Sequence, residues 1–122
     1  MESAHFSREQ ALHAAWESTH ERVDWPWHEF AAAMANWEVE PVVVDGRLVG
    51  AVLMYGPEIH ACIKPEGFRR WLTKSVLERT LYTRWKKYGY ATSGSNTAIG
   101  DKFLTRLGFT KEGSKWVSKP SS

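Results

Sequence analysis

Cysteine is almost missing from this 122-residue chain, where Cys62 is the single instance. One thiol cannot close an internal disulfide, and it cannot assemble a zinc cluster built on several thiolates. Its place in Ile59-His60-Ala61-Cys62-Ile63 marks it as a small buried residue of a strand rather than a reactive thiol. Long apolar runs are missing too. No stretch approaches the roughly 20 residues that span a bilayer, and the N-terminus lacks the apolar centre of a secretory leader. The expected compartment is therefore cytoplasmic. Charge of one sign is also lacking, since 16 Lys and Arg stand against 14 Asp and Glu, and so small an excess names no partner class. Repeats, low-complexity tracts and linkers are absent, and the chain reads as one domain over residues 1–122.

What the sequence has in plenty is aromatic and aliphatic side chain. Seven tryptophans and 43% apolar residues suffice for a core at this length. Ser7-Arg8-Glu9-Gln10 fits a capping box, and Leu12, Ala15, Trp16 and Thr19 recur at helical spacing, which predicts a helix over 7–20. Asp24 ahead of Pro26 predicts a second start, with Trp27, Phe30, Ala31, Met34 and Trp37 on one face of a helix over about 26–36. These N-terminal helices occupy residues 1–38.

Residues 39–64 read as a three-strand antiparallel meander. Val39 to Val44 is β-branched, Asp45-Gly46 is a tight-turn signal, and Leu48 to Tyr55 returns. Gly56-Pro57 turns into Ile59 to Ile63. Pro41 places the first strand at an edge, and Gly50 marks a bulge in the second.

Residues 65–118 then predict a crossover helix, a strand, a short helix and a hairpin, with 119–122 as a tail. Phe68, Trp71, Leu72, Ser75, Val76, Tyr82 and Trp85 recur at spacings of three, four or seven with one slip. They predict a single amphipathic helix of roughly 20 residues, ~30 Å long, ending at Tyr88-Gly89. Its first turn, with Arg69 and Arg70, offers free N–H groups to an anion. Tyr90 to Ser93 reads as a strand parallel to Ile59–Ile63. Ser95 or Asn96 caps a helix through Ala98, Ile99, Phe103, Leu104 and Leu107, and Glu112-Gly113 turns the closing hairpin. The fold class is α+β, with a mixed central sheet, one βαβ crossover and helices on both faces.

Several motifs were weighed for chemistry. His5, His13, His20 and His28 have no carboxylate completing a metal set. His60 lies on a central strand and belongs to the residue type that exchanges protons near neutral pH; a structural role is the commoner one for such a histidine. The Lys and Arg excess between Lys64 and Lys87 reads first as a solvated helix face. Nucleic acid is the less favoured partner, because the stripe holds no reader motif and its aromatics fall at core spacing.

The order of elements, with Val49-Gly50-Ala51-Val52, Ile63-Lys64-Pro65-Glu66, Asn96-Thr97-Ala98-Ile99 and Leu107-Gly108-Phe109, resembles the GNAT superfamily of acetyl-CoA-dependent N-acetyltransferases over about Val42 to Val117. The resemblance implies acetyl-CoA as cofactor and an amine as acceptor. It implies phosphate contacts from Arg69, Arg70, Thr73 and Lys74, with Ile63 at the strand end and Asn96 near the pantetheine arm. His60 is the candidate general base. The family's Arg/Gln-x-x-Gly-x-Gly/Ala loop falls, without gaps, on Phe68, Trp71 and Thr73, so both glycines are replaced. The family's late tyrosine, which protonates the leaving thiolate, falls on Leu104 beside Phe103. These departures are similar to those of GNAT-type internal virion proteins of short-tailed phages. They imply weakened or lost catalysis, in the host cytoplasm or virion. The alternative is a non-enzymatic protein that keeps the fold and docks on viral or host proteins through an exposed aromatic patch at Trp25, Trp27 or Trp37.

Overall fold

The computed structural model describes residues 6–20, 24–95 and 97–120. Helix α1 (Arg8–His20) begins at a reciprocal cap. The Gln10 N–H donates to Ser7 Oγ at 3.1 Å, and the Ser7 N–H donates to Gln10 Oε1 at 2.8 Å. Two first-turn donors are thereby satisfied, as the capping box predicts. Replacing Ser7 by alanine should lower stability by about 1 kcal/mol in urea unfolding, whereas an unchanged midpoint would mean that solvent replaces the cap at no loss. Helix α2 (Trp27–Ala33) is shorter than the pattern predicts, and its cap is Pro26 with no side-chain hydrogen bond. Asp24 is exposed and does not serve as the cap.

Six strands follow: β1 (Glu38–Val44), β2 (Arg47–Tyr55), β3 (Glu58–Ile63), β4 (Ala91–Ser93), β5 (Thr110–Glu112) and β6 (Lys115–Ser118). They form one mixed sheet in the order β1-β2-β3-β4-β6-β5, with β3 and β4 parallel and the other pairs antiparallel. Pro41 sits on the edge strand, where its missing N–H leaves no gap in the ladder. The β1–β2 register steps from Val42↔Gly50 to Val43↔Leu48. Val49 is therefore the extra residue of a bulge beside Gly50, as expected. The closing hairpin turns at Gly113-Ser114, one residue later than the sequence suggests.

Side-chain alternation divides the core between the two faces of the sheet. Ala51, Leu53 and Cys62 point to α1 and α2, meeting Ala11, Leu12, Ala15 and Phe30. Val52, Met54, Ile59 and Ile63 point the other way. That face is covered by α3 (Lys74–Arg79), α4 (Leu81–Tyr88) and α5 (Ala98–Arg106), through Val76, Leu81 and Leu104. The protein is thus an α+β fold with helices on both faces of a mixed sheet. Among the described residues, no helix is long and apolar enough to cross a membrane.

The predicted single long helix does not form. Pro65–Gly67 makes a 3-10 turn, an irregular segment follows, and α3 starts only at Lys74. A second break at Thr80, with φ −121° and ψ −87°, separates α3 from α4. Local chemistry explains both. Thr73 Oγ1 accepts the Val76 N–H at 3.2 Å and so caps a helix there. Thr80 Oγ1 donates to the Val76 carbonyl at 2.6 Å, a back-bond that bends helices. The slip in the apolar spacing, between Val76 and Tyr82, falls on this break. Phe68, expected on the buried face, lies in the irregular segment and is 60% exposed. The late helix is likewise capped by Thr97, whose Oγ1 accepts the Gly100 N–H at 3.0 Å, and not by Ser95. Ile99 points outward from its first turn at 82% exposure.

Arg84, which the pattern assigns to the solvated face, is buried. Its Nη1 donates to Glu38 Oε2 and to the Gly56 carbonyl, each at 2.9 Å. One guanidinium therefore ties α4 to the start of β1 and to the β2–β3 turn. No local pattern could have flagged it, because both partners are distant in sequence.

Candidate functional site

Parallel strands β3 and β4 meet at one register position, Glu58↔Thr92, and the Thr92 N–H donates to the Pro57 carbonyl at 2.8 Å. Beyond that point no further ladder pair joins them, and a cleft opens on the α3–α5 side. It is narrow, with a cavity of about 40 Å³, and is lined by Ile59, Ala61, Trp71, Leu77, Ser93 and Phe103, among others. The lining is apolar apart from the Ser93 and Thr80 hydroxyls, so the cleft suits uncharged groups rather than an ion.

Trp71 is the side chain that decides the shape of this cleft. It is 7% exposed, and its ring centroid lies 5.6 Å from that of Phe103 on α5. The segment that carries it, residues 64–73, is held from several sides. Lys64 Nζ pairs with Glu17 of α1 at 3.0 Å. Arg70 makes a two-pronged pair with Asp45 in the β1–β2 turn. Gly67 packs so closely on the bulge that a Cβ there would lie 2.7 Å from Val49 Cγ2. This close approach requires glycine. The N–H groups of Gly67, Phe68, Arg70, Trp71 and Thr73 are all spent on carbonyls of the same segment.

The expected phosphate contacts are therefore unequal. Arg69 and Lys74 are exposed, and no salt bridge among the described residues holds either one. Arg70 is engaged by Asp45, and the Thr73 hydroxyl oxygen by the helix cap. Ile63 is buried beside Gly67. Asn96 lies outside the described residues. In this conformation the segment offers cations, but with those five N–H groups engaged it does not fit a diphosphate in the manner of a glycine loop. Leu104, in the place of a proton-donating tyrosine, is buried, and Phe103 beside it faces Trp71.

His60 lies on the opposite face of the sheet, with α1 and α2. Its Nε2 is 2.6 Å from Glu58 Oε2. An ionised carboxylate only accepts, so in this pair Nε2 is the donor. Glu58 is two residues away, which in a strand means the same face; that spacing is the signal by which the pair was legible. The His60 ring contacts Trp37 at 5.9 Å, and Trp37 stacks on Tyr55 at 5.4 Å. A Cβ at Gly94 would lie 4.0 Å from His60 Cε1, so the imidazole borders the open end of the β3–β4 gap. Trp25, Trp27 and Trp37 are not an exposed patch: all are half-buried against the α1–α2 core. Trp27 also meets His13, whose Nδ1 is 3.6 Å from Glu17. Among the described residues, no group of His, Cys, Asp and Glu gathers as a metal site.

Comparison with protein-family models, with curated proteins and with solved structures returns no match.

Proposed function

We propose that the chain is a GNAT-like, acetyl-CoA-dependent N-acetyltransferase-type protein whose catalysis is weakened. The observation that carries this reading is the β3–β4 pair, which meets at Glu58↔Thr92 and then parts around an apolar cleft. A gap between parallel strands lets a thioester arm reach the middle of a sheet while an acceptor waits on the other face. The bulge at Val49 and the crossover from β3 through α3 and α4 to β4 agree with the same reading. On the far face, Glu58 would hold His60 with Nδ1 free to take a proton from an amine. Weakening follows from what the site lacks. Trp71 and Phe103 narrow the cleft, five N–H groups of the loop are already engaged, and Leu104 carries no proton for a leaving thiolate.

A second reading, a non-enzymatic virion or host-interaction protein that keeps the fold, is favoured by the Trp71–Phe103 contact itself. Isothermal titration of micromolar protein with acetyl-CoA separates the two. The expected result is weak but saturable heat, with acetylated amine detected by mass in a substrate screen at a slow rate. No heat at millimolar ligand removes the enzymatic reading.

A further inference from the structure

We propose that the outer face of α4, together with the adjoining ends of β4 and β6, binds single-stranded nucleic acid. The sequence argued against this, because the aromatics of the stripe have core spacing. In the structure Tyr82, which the spacing places on the core face, is 37% exposed, and Tyr88 and Tyr90 just beyond the stripe are 37% and 38% exposed. Tyr82 stacks on Trp85 with centroids 5.0 Å apart and planes 24° apart. Tyr88 is held by cations on its ring, with Arg84 at 5.7 Å and Lys87 at 5.5 Å from its centroid. These rings are partly exposed and held in place by their neighbours, and exposed aromatic rings stack bases without reading their sequence.

The charge around them is positive on balance, with Glu38 and Glu40 each paired to an arginine beside it. From Arg79 through Gly100 the sequence contains no Asp or Glu. The two arginines of that stretch are already engaged, Arg79 with Glu40 at 2.7 Å and Arg84 with Glu38 at 2.9 Å. Lys86 and Lys87 are exposed and make no salt bridge among the described residues. A third lysine joins them through the sheet. Trp85 Nε1 donates to Ser118 Oγ at 3.2 Å, and Ala91 pairs with Ser118. Extending that antiparallel ladder by one residue sets Tyr90 opposite Lys119. Tyrosine rings and lysines outside salt bridges thus gather where the end of α4 meets the ends of β4 and β6. A polyanion without bases would use the lysines and leave the rings idle; a single strand uses both.

The test is fluorescence anisotropy of the full chain with a labelled oligothymidine of roughly 20 nucleotides, beside a duplex of equal length and heparin. Binding should be tighter to the single strand than to the duplex. With three lysines on phosphates, the slope of log K against log salt should be about −2. The double change Lys86→Glu and Lys87→Glu should weaken oligothymidine and heparin together, about tenfold for the former. Tyr82→Leu with Tyr88→Leu should weaken oligothymidine about tenfold and leave heparin unchanged, with circular dichroism confirming that both variants stay folded. Absence of binding at low salt overturns the proposal. So does oligothymidine binding that ignores the tyrosine pair, or heparin and duplex binding that matches the single strand.

Discussion

Trp71→Ala should destabilise the fold and tighten acetyl-CoA binding at the same time. Truncating a buried tryptophan removes its transfer free energy and leaves a cavity, which costs about 3–5 kcal/mol in well-enclosed cores. Trp71 sits at a cleft mouth that solvent can enter, so the lower figure, about 3 kcal/mol, is expected in urea unfolding. The gain in binding has a separate origin. If the cleft accepts the ligand only when Trp71 has left Phe103, the apparent affinity of the wild type is reduced by the fraction of molecules in that state. A minor state populated at about 1–10% gives a gain of roughly 10–100-fold when the plug is removed. Calorimetry on both proteins measures it. A folded Trp71→Ala protein that takes no acetyl-CoA at millimolar concentration would show that the cleft is not a cofactor site. Trp71→Phe should fall between, since a smaller ring still reaches α5. An opposite trend in stability and affinity is not expected of a tryptophan that only fills a core.

Gly50→Ala should be the most damaging single-methyl change in the chain. Gly50 has φ +155° beside the bulge, and a Cβ there would lie 2.1 Å from the Cys62 carbonyl oxygen and 2.9 Å from Ile63 Cα. Both obstacles are backbone of the paired strand, so no rotamer change relieves the contact. Strain of this kind and overpacking each cost about 1–3 kcal/mol, and together on the order of 4 kcal/mol. For a chain of this size the melting temperature should fall by roughly 10–20 °C. Gly94→Ala is the matched control, because its Cβ would meet nothing closer than His60 Cε1 at 4.0 Å, and it should melt close to wild type. If Gly50→Ala melts with the control, the bulge is more plastic than its geometry implies. The bulge also seats Gly67, through Val49, and so sets where the Trp71 segment leaves the sheet. Loss of the bulge should therefore disturb the cleft as well as the fold.

Much of the architecture was legible because it rests on local rules. The Ser7–Gln10 cap, the Asp45-Gly46 and Gly56-Pro57 turns, the edge position of Pro41 and the bulge at Gly50 each follow from residues adjacent in sequence. The long helix was misread because apolar spacing alone ran through Trp71. That side chain is buried by tertiary contact with Phe103, not by a helix face. In the same way, Tyr82 falls at core spacing yet is exposed on α4, where it stacks on Trp85. The site was legible in part. His60 and Glu58 share a strand face by spacing, whereas the engagement of Arg70 by Asp45, 25 residues away, could not be read from either neighbourhood.

The sequence by itself determined the strand meander, the Ser7–Gln10 cap and the departure of Trp71 and Leu104 from a family pattern, since these depend on residue type and near neighbours. Only the tertiary structure decided that Trp71 lines the β3–β4 cleft and that Arg84 is buried against the start of β1 and the β2–β3 turn. It alone decided that Tyr82 is exposed and that α4 meets β6 through Trp85 and Ser118. Those placements depend on which distant surfaces meet when the sheet closes, and burial of apolar area, which drives that closure, has no direction along the chain.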